Sequence, residues 1–267
     1  MISIKILVVI RREDRLLVYE RAEILGCRLD VIDMAGALQV VQDSIQSREP
    51  SQIITLNAEM IYRAQHERQL IDLYSAARLV TPDGIGAVWA LRRAGWQISR
   101  RVTGIGLTLK ILDMAREKNW RVFFLGGEPG IAEQAARKLA ESDKPLMVVG
   151  VHHGYFSDDE SPRIIEQVRA ARPDVLLVGL GAPRQDIWIA AHLEVLGVPV
   201  CMGVGGTLDV LAGKAKRAPR LWRRLGLEWL FRLINEPGRI KRQMALPKFA
   251  WLVLTKVRGT GRQPRPS

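Results

Sequence analysis

The chain has 267 residues, 48% of them hydrophobic and 25% charged, with a formal net charge of +12. That length suits one α/β domain with an appendage and is short for two independent domains. The only cysteines, Cys27 and Cys201, are far apart and form no C-x-x-C pair, which argues against a secreted disulfide scaffold and a zinc site and reads as buried thiols of a reducing compartment.

In chain order, the apolar run Ile4 to Ile10 is too short for a membrane span, and no small-residue cleavage site follows it. Apolar runs that end in glycine or small polar residues then recur as strand candidates: Gln52–Leu56, Arg78–Thr81, Arg121–Leu125, Leu146–Val149, Asp174–Val178 and Pro199–Met202. Helical patterns separate them at Met34–Gln46, Gly104–Lys118, Gly130–Glu141, Pro162–Ala171 and Arg184–Leu196. This alternation predicts an α/β fold with a mostly parallel sheet covered by helices, which binds ligands at the carboxyl ends of its strands. The run Phe249 to Leu254 is also too short to span a bilayer, so the reading is a cytoplasmic protein without a transmembrane helix.

The charge is unevenly spread. Gly213 to Ser267 carries 15 Lys and Arg against 2 Asp and Glu, a net of +13, while Met1 to Ala212 has 25 against 26, a net of −1. A near-neutral catalytic body (1–212) with a cationic attachment (213–258) and a tail of disordered composition (259–267) is the expected organisation. Leu221, Trp222, Leu225, Trp229 and Leu233 recur at helical spacing among arginines, with Pro237 and Pro247 expected to break the helix into pieces. Basic amphipathic helices with tryptophan suit an anionic membrane interface; packing on the body with the charges in water is the other reading.

The candidate chemistry gathers at the strand ends. Thr55 and Asn57 share one face of the first core strand, and Asn57 suits either a sugar hydroxyl or a helix N-cap. Asp83, between Pro82 and Gly84, is placed to take a proton from an attacking hydroxyl, or to serve as a turn or capping aspartate. Arg100 and Arg101 suit a diphosphate or a solvated surface pair. Glycines 126–127, 154, 179, 181, 203, 205 and 206 let phosphates reach backbone amides, although sheet packing also uses such glycines. No G-x-G-x-x-G or P-loop motif occurs, which disfavours a dinucleotide and P-loop chemistry. Tyr155 could stack on a base or pack in the core, Gln185 could bind sugar or phosphate or start a helix, and Asp209 could bind base or ribose or cap a helix. There is no D-x-D, so leaving-group charge would fall to backbone dipoles and arginines.

Together these motifs resemble the WecG/TagA/CpsF glycosyltransferases. The resemblance is carried by Thr-Leu-Asn (55–57), Pro-Asp-Gly-Ile-Gly (82–86), Arg-Val-Thr-Gly (101–104), Phe-Leu-Gly-Gly (124–127) and Gly-Tyr-Phe (154–156). It continues through Gly-Leu-Gly-Ala-Pro-Arg-Gln-Asp (179–186), Gly-Val-Gly-Gly-Thr-Leu-Asp (203–209) and Glu-Trp-Leu-Phe-Arg-Leu-Ile-Asn-Glu-Pro-Gly-Arg (228–239), covering about Ile24 to Pro247. Met1 to Glu20 lies outside it and receives no role.

The resemblance implies a Rossmann-like core with helices on both faces and a basic C-terminal helical appendage that closes over the site at the membrane. It implies transfer of N-acetylmannosamine or a related sugar from a UDP donor to polyprenyl-diphosphate-linked N-acetylglucosamine, without metal or other cofactor. Asp83 matches the general base. Thr55, Asn57, Arg101 and Gln185 match the pocket for sugar and diphosphate, and Gly126, Gly127, Tyr155, Gly181, Gly205 and Asp209 fall where the nucleotide lies. Arg232, Arg239 and Arg242 match appendage arginines that reach the diphosphates. Asp186 stands where many members have glutamate. The implied partners are a UDP-sugar, the lipid-linked sugar, an anionic membrane surface on its cytoplasmic side, and further copies of the chain as a homo-oligomer. Two other classes stay open on the residues alone: a soluble sugar-nucleotide enzyme, against which the charge split argues, and a nucleic-acid-binding protein, which leaves the glycine-ended strands and Asp83 unexplained.

Overall fold

The computed structural model describes residues 6–12, 15–98, 101–219, 221–222, 226–235, 238 and 240–257. Its centre is a six-stranded parallel sheet of β4 (Gln52–Leu56), β5 (Leu79–Pro82), β6 (Val122–Gly126), β7 (Val148–His152), β8 (Val175–Gly179) and β9 (Val200–Gly203), in the order β5-β4-β9-β8-β6-β7. The strands alternate between two apolar layers. Ile53, Phe124, Leu177 and Met202 face one layer, while Ile54, Leu125, Val178 and Cys201 face the other. Burial on both faces is why the strands read as continuous apolar runs.

Helices cover both faces. One side holds α1 (Met34–Ser47), α5 (Gly104–Lys118), α6 (Ile131–Ala140) and α9 (Thr207–Ala212). The other holds α2 (Ala58–Ala64), α3 (Arg68–Ala76), α4 (Gly84–Arg93), α7 (Ser161–Ala171) and α8 (Arg184–Leu196). The helices α5 and α8 coincide with the patterns read from sequence. Several strands sit one to three residues further on, as with Leu146–Val149 against Val148–His152. The glycine that ends an apolar run can itself belong to the ladder, as Gly126 and Gly179 do in pairing with each other.

The N-terminal segment forms a second sheet. β1 (Ile6–Arg12), β2 (Arg15–Ile24) and β3 (Cys27–Val31) are antiparallel in the order β1-β2-β3. Asp30 of β3, fully buried, ties this sheet to the edge strand β5. Its Oδ2 accepts from the Val80 amide at 2.8 Å and pairs with Arg28 at 2.7 Å, and Arg21 approaches Oδ1 at 3.2 Å. A side chain thus meets an outward amide of the edge strand, where an open ladder would invite pairing with another chain. Cys27 and Cys201 are both buried free thiols, as expected.

The C-terminal region is in short helical pieces, as expected, though one of its two prolines makes no break. Gly226 takes a φ of 75°, and a helix runs from Glu228 to Asn235 only after that turn. Leu225 lies outside the described residues, as does Pro237. Further helices span Ile240–Gln243 and Ala245–Lys256. Pro247 does not break the second of these but sits in its first turn, where a missing amide donor goes unnoticed. Phe249 and Val253 of this helix are buried in the cluster built on α2 and α4. No helix among the described residues is long and apolar enough to cross a membrane.

Candidate functional site

The parallel sheet has a natural opening. The chain leaving β6 runs outward to β7, and the chain leaving β8 runs inward to β9, so the connections part between neighbouring strands. A crevice at the carboxyl ends follows from that divergence. It is observed as a cleft of about 530 Å³ lined by the ends of β4, β5, β6, β8 and β9.

Thr55, Asn57, Asp83, Gly127, Tyr155, Gly181, Gln185, Gly205 and Asp209 all line this cleft. With Gly154, Gly179, Gly203 and Gly206 beside them, the fold gathers thirteen residues singled out in sequence from widely separated segments. Asn57 is the N-cap of α2, its Oδ1 accepting from the Met60 amide at 3.0 Å, so the capping reading is correct and the Nδ2 amide is the group left for a ligand. Asp83 stands at the start of α4 yet makes no side-chain cap there. Its Oδ2 instead accepts from the Gly104 amide, the first residue of α5, at 3.1 Å. Gly84, with a φ of 75°, turns the chain away immediately after Asp83. Gly104 permits the convergence: a Cβ there would lie 2.7 Å from the Thr55 hydroxyl oxygen and 3.3 Å from Asp83 Oδ2. Thr55, Asp83 and the head of α5 consequently meet at one point.

The glycine wall is held by its own backbone. The Gly127 amide donates to the Gly179 carbonyl at 3.1 Å, and the Gly154 amide donates to the Gly127 carbonyl at 2.8 Å. Gly126 does not line the cleft. Its missing side chain is a packing requirement, since a Cβ would come within 2.5 Å of the Gly179 carbonyl oxygen. Gln185 Oε1 accepts from the Gly205 amide at 2.9 Å and pins the loop after β9. Asp186 lies beneath, buried, with Oδ2 unpartnered; burial raises its carboxyl to about 7, against the opposing hydrogen bond from Gln185. Tyr155 stands largely exposed at the rim rather than in the core.

Arg101 is not among the lining residues; its guanidinium pairs with Glu228 of the C-terminal helix at 3.4 Å. Arg239 lies outside the described residues, as do the side chains of Arg232 and Arg242, and Arg100 is outside them too. Arg184, passed over beside Gln185 in the sequence, does line the cleft, and its guanidinium donates to the Phe156 carbonyl at 2.8 Å and sits 5.2 Å from the Phe156 ring. Its signal was its place immediately before Gln185 at the start of α8. An adjoining basic recess of about 550 Å³ carries Lys214, Lys216 and Arg217 and shares Glu128, Gly206 and Asp209 with the main cleft. Lys214 pairs with Glu128 at the boundary. No group of three or more His, Cys, Asp or Glu among the described residues is placed to hold a metal ion.

A parallel α/β sheet whose strand ends converge on a glycine-walled cleft, with Asp83 among its lining carboxylates, has the form of a ligand-binding α/β enzyme. The sequence model of one family, described as Glycosyl transferase WecG/TagA/CpsF family, matches residues 22–263, and the chain belongs to that family. It is a glycosyltransferase, and the antiparallel strand β1 with most of β2 precedes the matched region.

Proposed function

We propose that this protein transfers N-acetylmannosamine, or a related sugar, from a UDP donor to N-acetylglucosamine carried on polyprenyl diphosphate, an early step toward wall teichoic acid or a surface polysaccharide. The observation that carries the reading is Asp83, a carboxylate where the glycine-walled cleft meets the heads of α4 and α5. The acceptor hydroxyl gives its proton to Asp83 and its oxygen forms the bond to the anomeric carbon. The bond from that carbon to the diphosphate breaks on the opposite face, its electron pair leaving with UDP, and the configuration inverts. The glycine wall, bare of side chains, lets the diphosphate come close, and Arg184 at its side meets the charge that develops on the leaving group. Thr55, Asn57 and Gln185 serve the sugar and diphosphate, Tyr155 and Asp209 the nucleoside. Arg101, Arg232, Arg239 and Arg242 are assigned to the diphosphates from the family resemblance, as is a reaction that needs no metal. A glucosyl or uronosyl donor would use the same machinery.

The 213–258 region is assigned to an anionic membrane surface on the cytoplasmic side. Its charge supports this, and so does a row of outward apolar side chains: Ile240 (54% exposed), Met244 (59%), Trp251 (64%) and Leu254 (53%). Their spacing places them along one side of consecutive helices whose inner face is buried through Phe249 and Val253.

The test is UDP release by the full chain from a panel of UDP-sugars, with and without a short-chain polyprenyl-diphosphate N-acetylglucosamine. Acceptor-dependent release is expected, and Asp83→Asn should lower its rate by about 10²–10⁴-fold. Asparagine still offers an oxygen to the Gly104 amide, so the variant should fold normally. Near-normal turnover by Asp83→Asn would remove Asp83 as the base, and no release with any donor would refute the transferase assignment made here.

A further inference from the structure

A separate cavity of about 360 Å³ opens on the other side of Asp83. It shares Asn57, Glu59, Asp83 and Ile105 with the glycine-walled cleft, so the two spaces meet at the carboxylate. Their chemistry differs. The first is walled by glycine backbone and polar side chains, whereas the second is walled by Trp89 of α4, Trp229 of the Glu228–Asn235 helix, and Leu246 and Phe249 of the last helix. Two contacts hold the Glu228–Asn235 helix over this cavity. The turn at Gly226 rests on Ile85, where a Cβ would come within 2.9 Å of the Ile85 side chain, and Glu228 pairs with Arg101 at the head of α5.

We infer that this tryptophan-lined cavity is the subsite for the acceptor sugar ring, with Trp89 and Trp229 as apolar platforms and Glu228 and Gln243 as partners for its hydroxyls. The assignment rests on the glycosyltransferase reading and adds the location of the second substrate. An inverting displacement needs the attacking hydroxyl on the side of the anomeric carbon opposite the departing diphosphate. With the donor's diphosphate against the glycine wall, the ring carrying that hydroxyl occupies the other space bordering Asp83. A sugar is amphipathic: its C–H face packs on aromatic rings while its rim hydroxyls seek carboxylates and amides, and this cavity offers both. The donor's diphosphate has no use for indole walls, so it and the acceptor's sugar ring are sorted by polarity as well as by direction.

The experiment compares wild type with Trp229→Ala, Trp229→Phe and Trp89→Ala in the full chain. Donor affinity is read by calorimetric titration with the UDP-sugar, and acceptor KM by UDP release. The acceptors are N-acetylglucosamine diphosphate bearing a short prenyl chain and the same sugar diphosphate without the chain. Both alanine variants should raise KM at least about tenfold for both acceptors and leave donor Kd within about twofold; Trp229→Phe should recover most of the loss. Leu246→Trp, which fills the cavity without removing a platform, should likewise weaken the acceptor and spare the donor. An unchanged acceptor KM, a rise in donor Kd instead, or an effect confined to the prenylated acceptor would overturn the assignment; the last would give the cavity to the lipid chain. If wild type transfers from no donor, the transferase assignment fails separately. Direct titration of the chain-free sugar diphosphate then decides the cavity: binding lost in Trp229→Ala upholds it, and no binding to wild type refutes it.

Discussion

At the scale of single residues, Gly104 and Asp186 separate activity from stability. Gly104 is the first residue of α5, so alanine there gains less than the roughly 0.5–1 kcal/mol of a helix interior. Its Cβ, however, would press on the Thr55 hydroxyl at 2.7 Å and on Asp83 at 3.3 Å. We expect Gly104→Ala to keep a melting temperature near that of wild type while kcat falls at least about tenfold, a decoupling seen by running thermal melts beside UDP release. Equal losses of both would show that the convergence at this point serves the fold alone. Asp186 affects stability through protonation. Its carboxyl is raised to about 7 in the fold, chiefly by burial. An acid raised on folding contributes its full stability below its unfolded value near 4, and that contribution is lost as pH rises from there through about 7. Wild type should therefore be less stable at pH 8 than at pH 5 from this source, on the order of a few kcal/mol. Asp186→Asn should gain on wild type over the same interval in urea titrations at the two pH values. A difference between the proteins that does not change with pH would count against a buried titrating acid.

At the scale of elements, the join between the two sheets rests on Asp30. Arg28 answers its charge and donates to the Ala77 carbonyl at 2.7 Å, while Asp30 itself satisfies the Val80 amide of β5. Asp30→Ala would leave Arg28 half-buried without its carboxylate and the Val80 amide without an acceptor. A loss of roughly 3–5 kcal/mol is expected in equilibrium urea unfolding; a loss under about 1 kcal/mol would mean that this network is dispensable. The same element shows where sequence reading stops. Alternating apolar and glycine-ended runs displayed β4 to β9 and their helices, because local periodicity and turn chemistry are written in neighbouring residues. Nothing local announces that an aspartate in β3 will satisfy a strand fifty positions later, so the N-terminal sheet remained without a role. Likewise, the spacing of Leu221, Trp222, Leu225, Trp229 and Leu233 suits a membrane-facing or a body-packed amphipathic helix alike, and Trp229 lines the cavity beside Asp83. Periodicity reports that a helix has two faces; it does not say which face meets the body.

At the scale of the whole molecule, the cationic C-terminal region is joined to the body instead of hanging from it, through Phe249 and Val253. Removing everything from Gly213 onward would uncover part of the core, so membrane attachment is better tested at the surface. Wild type should co-sediment with vesicles containing anionic lipid and far less with neutral ones, and binding should weaken as salt is raised. Replacing Trp251 and Leu254 together by serine should reduce partitioning at least about tenfold without altering the melt, since both side chains face outward. Undiminished sedimentation of the double variant would move the contact to another face.

By itself, the sequence determined the class of fold, the family, the uneven charge and most of the residues that line the cleft, since each is written in local pattern or in motifs short enough to be read whole. Tertiary structure decided the rest. It set the strand order that opens the crevice between β6 and β8, turned Asp83 from its own helix to the head of α5, and engaged Arg101 with Glu228. It also used Gly126 for packing and placed a tryptophan-lined cavity against a glycine-walled one. The physical reason is common to all of these. Hydrogen bonds, ion pairs and van der Waals contacts act over a few ångströms, and only the folded chain brings residues distant in sequence within that reach.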